Sequence, residues 1–167
     1  MATFKQSICV LTLLLIAGCG YQVGSIKIGS DQKIAIPHFA NKTGYPDLET
    51  RVTNAVIDRM QVDGSYKVVA DPSQADVVLI GELVSYGRDA LTFDRSDTTS
   101  EYRSTLTANL IFKDAKTDKV IWKALRVQGE ALFPRGSDQA ESERAALPRL
   151  SQDLAKYVVE KVVDGGW

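Results

Sequence analysis

Thr105-Leu106-Thr107-Ala108-Asn109-Leu110-Ile111-Phe112-Lys113 alternates, with Leu106, Ala108, Leu110 and Phe112 on one side and Thr105, Thr107 and Asn109 on the other. Side chains of a strand point in turn to opposite faces, so this period of two describes a strand with one buried and one wetter face. Antiparallel sheets have that character. Upstream, Val77-Val78-Leu79-Ile80 is apolar on both faces, as a central strand requires. Downstream, residues 119–127 continue after a turn at 114–118. With no helical pattern between them, the three segments read as an antiparallel meander.

Lys33-Ile34-Ala35-Ile36-Pro37 reads as an earlier strand, ended by Pro37, which has no N–H to give a ladder. The turn cluster Asn41-Lys42-Thr43-Gly44-Tyr45-Pro46 follows. Leu48, Val52, Ala55, Val56 and Met60 then fall on one face of a helix that Pro46, Asp47 and Glu49 start and Asp63-Gly64 ends. Residues 66–69 return as a short strand, which predicts a crossover unit with two parallel strands. After the polar loops expected at 88–101 and 135–138, a last helix begins near Glu141. Its stripe is Leu147, Leu150, Leu154, Tyr157, Val158 and Val162, Pro148 is expected to kink it or delay its start, and Gly165-Gly166 closes it. The class is α+β, with a mixed, mostly antiparallel sheet of four to five strands.

The chain has 167 residues, 44% hydrophobic and 25% charged, with 20 basic against 21 acidic side chains. That suits one globular domain, excludes a disordered chain, and leaves no cationic excess for binding nucleic acid. One His and two Cys are too few for a zinc cluster or a disulfide scaffold. At the N-terminus Lys5 precedes the apolar run Ile8-Cys9-Val10-Leu11-Thr12-Leu13-Leu14-Leu15-Ile16, roughly half of the ~20 residues that a membrane-spanning helix needs. It reads as a signal peptide over residues 1–18. Ile16-Ala17-Gly18-Cys19 resembles a bacterial lipobox, which implies cleavage before Cys19 and three acyl chains on that residue; each buried CH₂ contributes ~0.8 kcal/mol to membrane binding. Gly20 is not the Asp of an inner-membrane retention signal, so the expected destination is the periplasmic face of the outer membrane. Residues 19–32, with a short strand expected at 26–28, form the lipidated N-terminus and tether, and 33–167 a single domain.

No catalytic constellation emerges. His38 is the only imidazole and has no nucleophile placed near it by a motif; we read it as a structural or surface residue. Asp89, Asp94, Asp97 and Glu101 have the residue types of a cation site or a carboxylate pair, but Arg88, Arg95 and Arg103 interleave with them, as in a solvated, mutually neutralised hairpin. Gly18, Gly20 and Gly24 follow a signal peptide instead of a strand and have the wrong spacing for a dinucleotide loop. Tyr66, Phe112, Trp122 and Phe133 are spread over several strands, as core residues are. No cofactor or metal is implied, and the expectation is a protein that is not an enzyme.

Several motifs occur in a specific order: Cys19-Gly20-Tyr21-Gln22; Ile34-Ala35-Ile36-Pro37-His38-Phe39 with Asn41-Lys42-Thr43; Ala75-Asp76-Val77-Val78-Leu79-Ile80-Gly81-Glu82; Glu101-Tyr102-Arg103; and Lys119-Val120-Ile121-Trp122. In that order they resemble the lipopolysaccharide-assembly lipoprotein family, LptE. The resemblance implies two helices packed on one face of the sheet, a complex with the β-barrel LptD, and assistance in delivering lipopolysaccharide to the outer leaflet. It also implies basic lipid contacts in the strand-to-strand loop and ahead of the last helix, which fall on Arg95 and Arg135. Thr117-Asp118-Lys119 departs from the family by placing Asp where Gly is usual, although Asp tolerates φ > 0. Assembly modules of secretion channels and activators of peptidoglycan synthesis share the beginning of this pattern and are the alternative reading. A channel subunit, however, needs a lipid-facing hairpin with aromatic girdles, and none is visible.

Cys19→Ser is expected to leave an uncleaved precursor or a form released from the membrane. Mass spectrometry of the wild-type N-terminus checks the premise, and an unmodified Cys19 or cleavage elsewhere would refute it.

Overall fold

The computed structural model describes residues 31–93, 99–135 and 137–165. The lipobox, Cys19, the segment 26–28, Asp94, Arg95, Asp97 and Gly166 lie outside them. Among the described residues six strands and two α-helices follow in order: β1 (Lys33–Ala35), β2 (Ala40–Asn41), α1 (Leu48–Asp63), β3 (Lys67–Val69), β4 (Val77–Phe93), β5 (Thr99–Asp114), β6 (Val120–Pro134) and α2 (Gln139–Val163). The main sheet path is β3-β1-β4-β5-β6, and β2 also pairs with β4.

The crossover expected from the sequence is present: β1 pairs in parallel with β3 and with β4, while β4, β5 and β6 form the antiparallel meander. The sheet is larger than the expected four to five strands because Ala40–Asn41 adds a short strand against Glu82 and Leu83. A second correction is larger. Arg88 and Asp89 are not in a loop: β4 runs on to Phe93 and pairs in register with a β5 that begins at Thr99. Strand pairing satisfies backbone groups regardless of side-chain polarity, so polar composition alone could not reveal a hairpin that extends past the core. β6 likewise runs to Pro134, beyond the expected 127.

Both helices cover one face. Leu48, Val52, Val56 and Met60 of α1 and Leu147, Leu150, Leu154, Val158 and Val162 of α2 are buried against Leu79, Leu83, Leu106, Leu110, Phe112, Val127 and Phe133. Tyr157 leaves the expected stripe and is 40% exposed. Pro148 neither stops nor delays α2, which already begins at Gln139. Its missing N–H deprives the Arg144 carbonyl of a partner, but both residues are exposed, so water can take that bond. Asp138 caps the helix, its carboxylate accepting from the Glu141 N–H at 3.1 Å. Asp118 takes φ 56°, the conformation for which Asp can replace Gly. The open face of β5 carries Arg103, Thr105, Thr107, Asn109 and Lys113 with one apolar residue, Ile111, too polar a set for contact with lipid tails. Among the described residues no helix is long and apolar enough to cross a membrane.

Two glycines set the distance between the layers. An ideal Cβ on Gly81 would lie 2.0 Å from the buried Phe39 ring, and one on Gly129 would lie 2.4 Å from the Leu154 nitrogen and 2.6 Å from its Cα. The edges of the sheet are blunted. β3 has three residues, and on β6 the Glu130 N–H donates to the Asp153 carboxylate at 2.8 Å instead of remaining free. Arg126 takes φ 58° at an irregularity where its N–H donates to Asn109 Oδ1 at 3.0 Å, and Pro134, at the end of β6, has no N–H.

Gly129→Ala is expected to destabilise the domain by about 1–3 kcal/mol, because a helix backbone must move to admit the methyl group. Gly81→Ala meets a side chain that can rotate, so its cost is expected to be smaller. Urea unfolding of the two variants checks the order.

A candidate contact surface at the hairpin end of the sheet

Of the two positions that the family resemblance singles out, Arg135 lies at one end of the sheet. Glu101 in β5 pairs with Pro134 in β6, so Arg135 emerges beside the β4–β5 hairpin. Arg135 is exposed and has no ion pair among the described residues. Arg95 lies outside them.

Beneath that end lies a polar cluster on the helix-covered side. The Tyr86 hydroxyl donates a hydrogen bond to Glu143 Oε1 and lies 3.2 Å from Ser104 Oγ, while Arg88 donates to Glu143 Oε2 at 2.8 Å. The Glu143 side chain is only 11% exposed, so its charge requires these donors. Arg88 also lies 5.5 Å over the Tyr102 ring, Tyr102 stacks on Phe133 with centroids 5.5 Å apart, and Tyr45 packs 4.8 Å from Tyr86. Burial first, and then the hydrogen bond to the Glu143 carboxylate, hold the Tyr86 phenol well above its usual range. The first turns of α2 are thereby tied to β4 and β5.

Arg88 and Arg103 therefore pair with carboxylates outside the hairpin, where the sequence reading had the hairpin's charges neutralising one another. Arg88 pairs with Glu143, and Arg103 Nε lies 3.3 Å from Glu130 Oε2 without hydrogen-bond alignment. Asp89 stands opposite Arg103 in the β4–β5 register and Glu101 opposite Thr92. Among the described residues no three acidic, His or Cys side chains come close enough to hold a metal ion. His38 is exposed in the β1–β2 connection. The Asn-Lys-Thr segment is a turn: Asn41 Oδ1 accepts from the Thr43 N–H at 3.0 Å, and Asn41 Nδ2 donates to Tyr45 O and to Glu49. The Glu49 carboxyl is held below its usual range, first by a backbone N–H at the helix start and then by Asn41. Lys42 pairs with Glu82 at 2.6 Å.

Tyr86, Ser104 and Glu143 went unnoticed in the sequence. Glu143 is 57 residues from Tyr86, and no local spacing links them. Glu143→Ala leaves the Tyr86 hydroxyl with Ser104 Oγ as its remaining partner and is expected to cost about 1–3 kcal/mol, with the Arg88 share reduced by solvent. Combined with Tyr86→Phe in a double-mutant cycle, the two changes should be clearly non-additive in unfolding free energy.

Comparison with known proteins bears on the whole domain. No curated protein sequence matches the chain. Among solved structures, a Xanthomonas campestris protein superposes with a TM-score of 0.60 at 12% identity, covering 83% of this chain and 87% of its own. A hypothetical protein from Chlamydia trachomatis gives 0.55 at 10% identity, covering 80% and 96%. Uncharacterised lipoprotein B from Nitrosomonas europaea gives 0.52 at 14% identity, covering 86% and 91%. These likenesses establish a shared fold. The family model described as LptE, lipopolysaccharide-assembly, matches residues 32–162 and so takes in every strand and nearly all of α2. This chain thus belongs to the LptE family of lipopolysaccharide-assembly proteins.

Proposed function

We propose that the protein is an outer-membrane lipoprotein, held by an acylated Cys19 at the periplasmic face, that forms a complex with an LptD-type β-barrel and assists lipopolysaccharide in reaching the outer leaflet. The observation that carries this reading is the family match over residues 32–162. The fold supports it physically. A domain with two blunted sheet edges is suited to sit against a partner without recruiting further strands. Its role is to position lipid and barrel, with Arg95 and Arg135 as the contacts to lipopolysaccharide. Phosphates accept charge-assisted, bidentate hydrogen bonds from guanidinium groups, and Arg135 is exposed. No reaction is assigned to the protein.

Affinity purification of the full-length lipoprotein from detergent-solubilised outer membranes is expected to recover a β-barrel partner in stoichiometric amount; recovery of the lipoprotein alone would overturn the complex. In the same preparation Arg95→Asp combined with Arg135→Asp should lower lipopolysaccharide binding several-fold while leaving the melting temperature nearly unchanged, because Arg135 is exposed beyond the end of the last strand and substitutions at such positions barely touch the core. Wild-type binding should weaken with added salt. Unchanged binding in the double variant, with the barrel still attached, would remove the direct lipid role from these two residues.

A further inference from the structure

The helical layer contains a groove of about 470 Å³ between α1 and α2, on the side away from the sheet. From α1 it is lined by Arg51, Ala55, Asp58 and Arg59, and from α2 by Pro148 and Ser151. Arg51, Ala55 and Arg59 are four residues apart and so share one helix face. Ala55 stands midway with a methyl group only, which leaves space that the long stems of its two arginine neighbours can reach. Neither guanidinium has an ion pair among the described residues, and both arginines are exposed.

Ser151 supplies the second, independent observation. It is 2% exposed, lines the groove, and its hydroxyl has no hydrogen-bond partner. Buried hydroxyls are ordinarily paired, and a serine on a helix usually finds the carbonyl one turn back. An unpaired hydroxyl at the wall of a groove flanked by two free guanidinium groups points to a polar ligand. The sign of the charge follows from the lining: two cations face one anion, Asp58.

We propose that this groove binds a phosphoryl group, over Ala55, with Arg51 and Arg59 donating from either side and Ser151 Oγ donating from the floor. The ligand class is a phosphate monoester or inorganic phosphate. The site is separate from Arg135 and does not rest on the barrel complex or on lipopolysaccharide contact at the hairpin end.

The test uses the full-length lipoprotein in nonionic detergent, titrated with inorganic phosphate against chloride at equal ionic strength. Arginine side-chain and backbone resonances report the binding. Saturable shifts at Arg51, Arg59 and Ser151, specific to phosphate, are expected. Arg51→Gln with Arg59→Gln should weaken binding by about tenfold or more, as loss of charge-assisted bonds requires. Ser151→Ala, which removes only the unpaired hydroxyl, should weaken it roughly threefold without lowering the melting temperature. Lys156→Gln, outside the groove, should leave binding as it was. Micelles doped with phosphatidic acid separate the sources: competition with inorganic phosphate marks a lipid headgroup as the ligand, and its absence marks the free anion. Equal shifts with chloride, no saturation, or binding that survives both groove variants would overturn the proposal.

Discussion

The contact between the Gly129 backbone and the Leu154 backbone is the constraint on which the rest of the structure depends. α2 lies so close to β6 that a single methyl group would intrude on its main chain. At that distance Leu150, Leu154 and Val158 reach the inner face of the meander, and α1 packs beside α2 over the adjoining part of the sheet. The same approach is repeated at Gly81, where the Phe39 ring occupies the place of a side chain. Both positions exchange local strand propensity for close layer packing, which interior density rewards.

Because the helices occupy one face, the sheet must keep its other face and its edges compatible with water or with a partner. Polar side chains on β5 serve the open face. The β6 edge is protected by a side chain of α2 itself, Asp153, so the helix that covers the core also occupies a backbone donor that another strand would use. At the hairpin end, α2 is tied in a third way, through Glu143 to Tyr86 and Arg88. A buried carboxylate with charge-assisted and phenolic donors fixes where the helix starts more strictly than apolar packing alone, since apolar contacts are non-directional. Arg135 follows β6 at this same end of the sheet.

Hairpin length illustrates the difference between pattern and pairing. The buried halves of β4 and β5 show themselves through Leu79, Leu106, Ala108, Leu110 and Phe112. The outer halves hold Arg88, Asp89, Glu101 and Arg103, which resemble a loop to any reading based on polarity. Their ladder exists because each strand supplies the other's hydrogen bonds. Arg88 and Arg103 then find carboxylates on α2 and β6 instead of the acids beside them in the chain.

What the sequence by itself determined was therefore what one element can express alone. The period of two in β5, the 3.6-residue stripe of α1 from Leu48 to its end at Asp63-Gly64, the parallel crossover and the turn at Asn41-Lys42-Thr43 are local statements, written in neighbouring residues. Tertiary structure decided the reach of the hairpin, the passage of α2 through Pro148, the exposure of Tyr157, the Glu143 cluster and the groove at Ser151. Each of these depends on groups brought together from distant parts of the chain, and their energies arise from desolvation and pairing that no residue carries before the layers close.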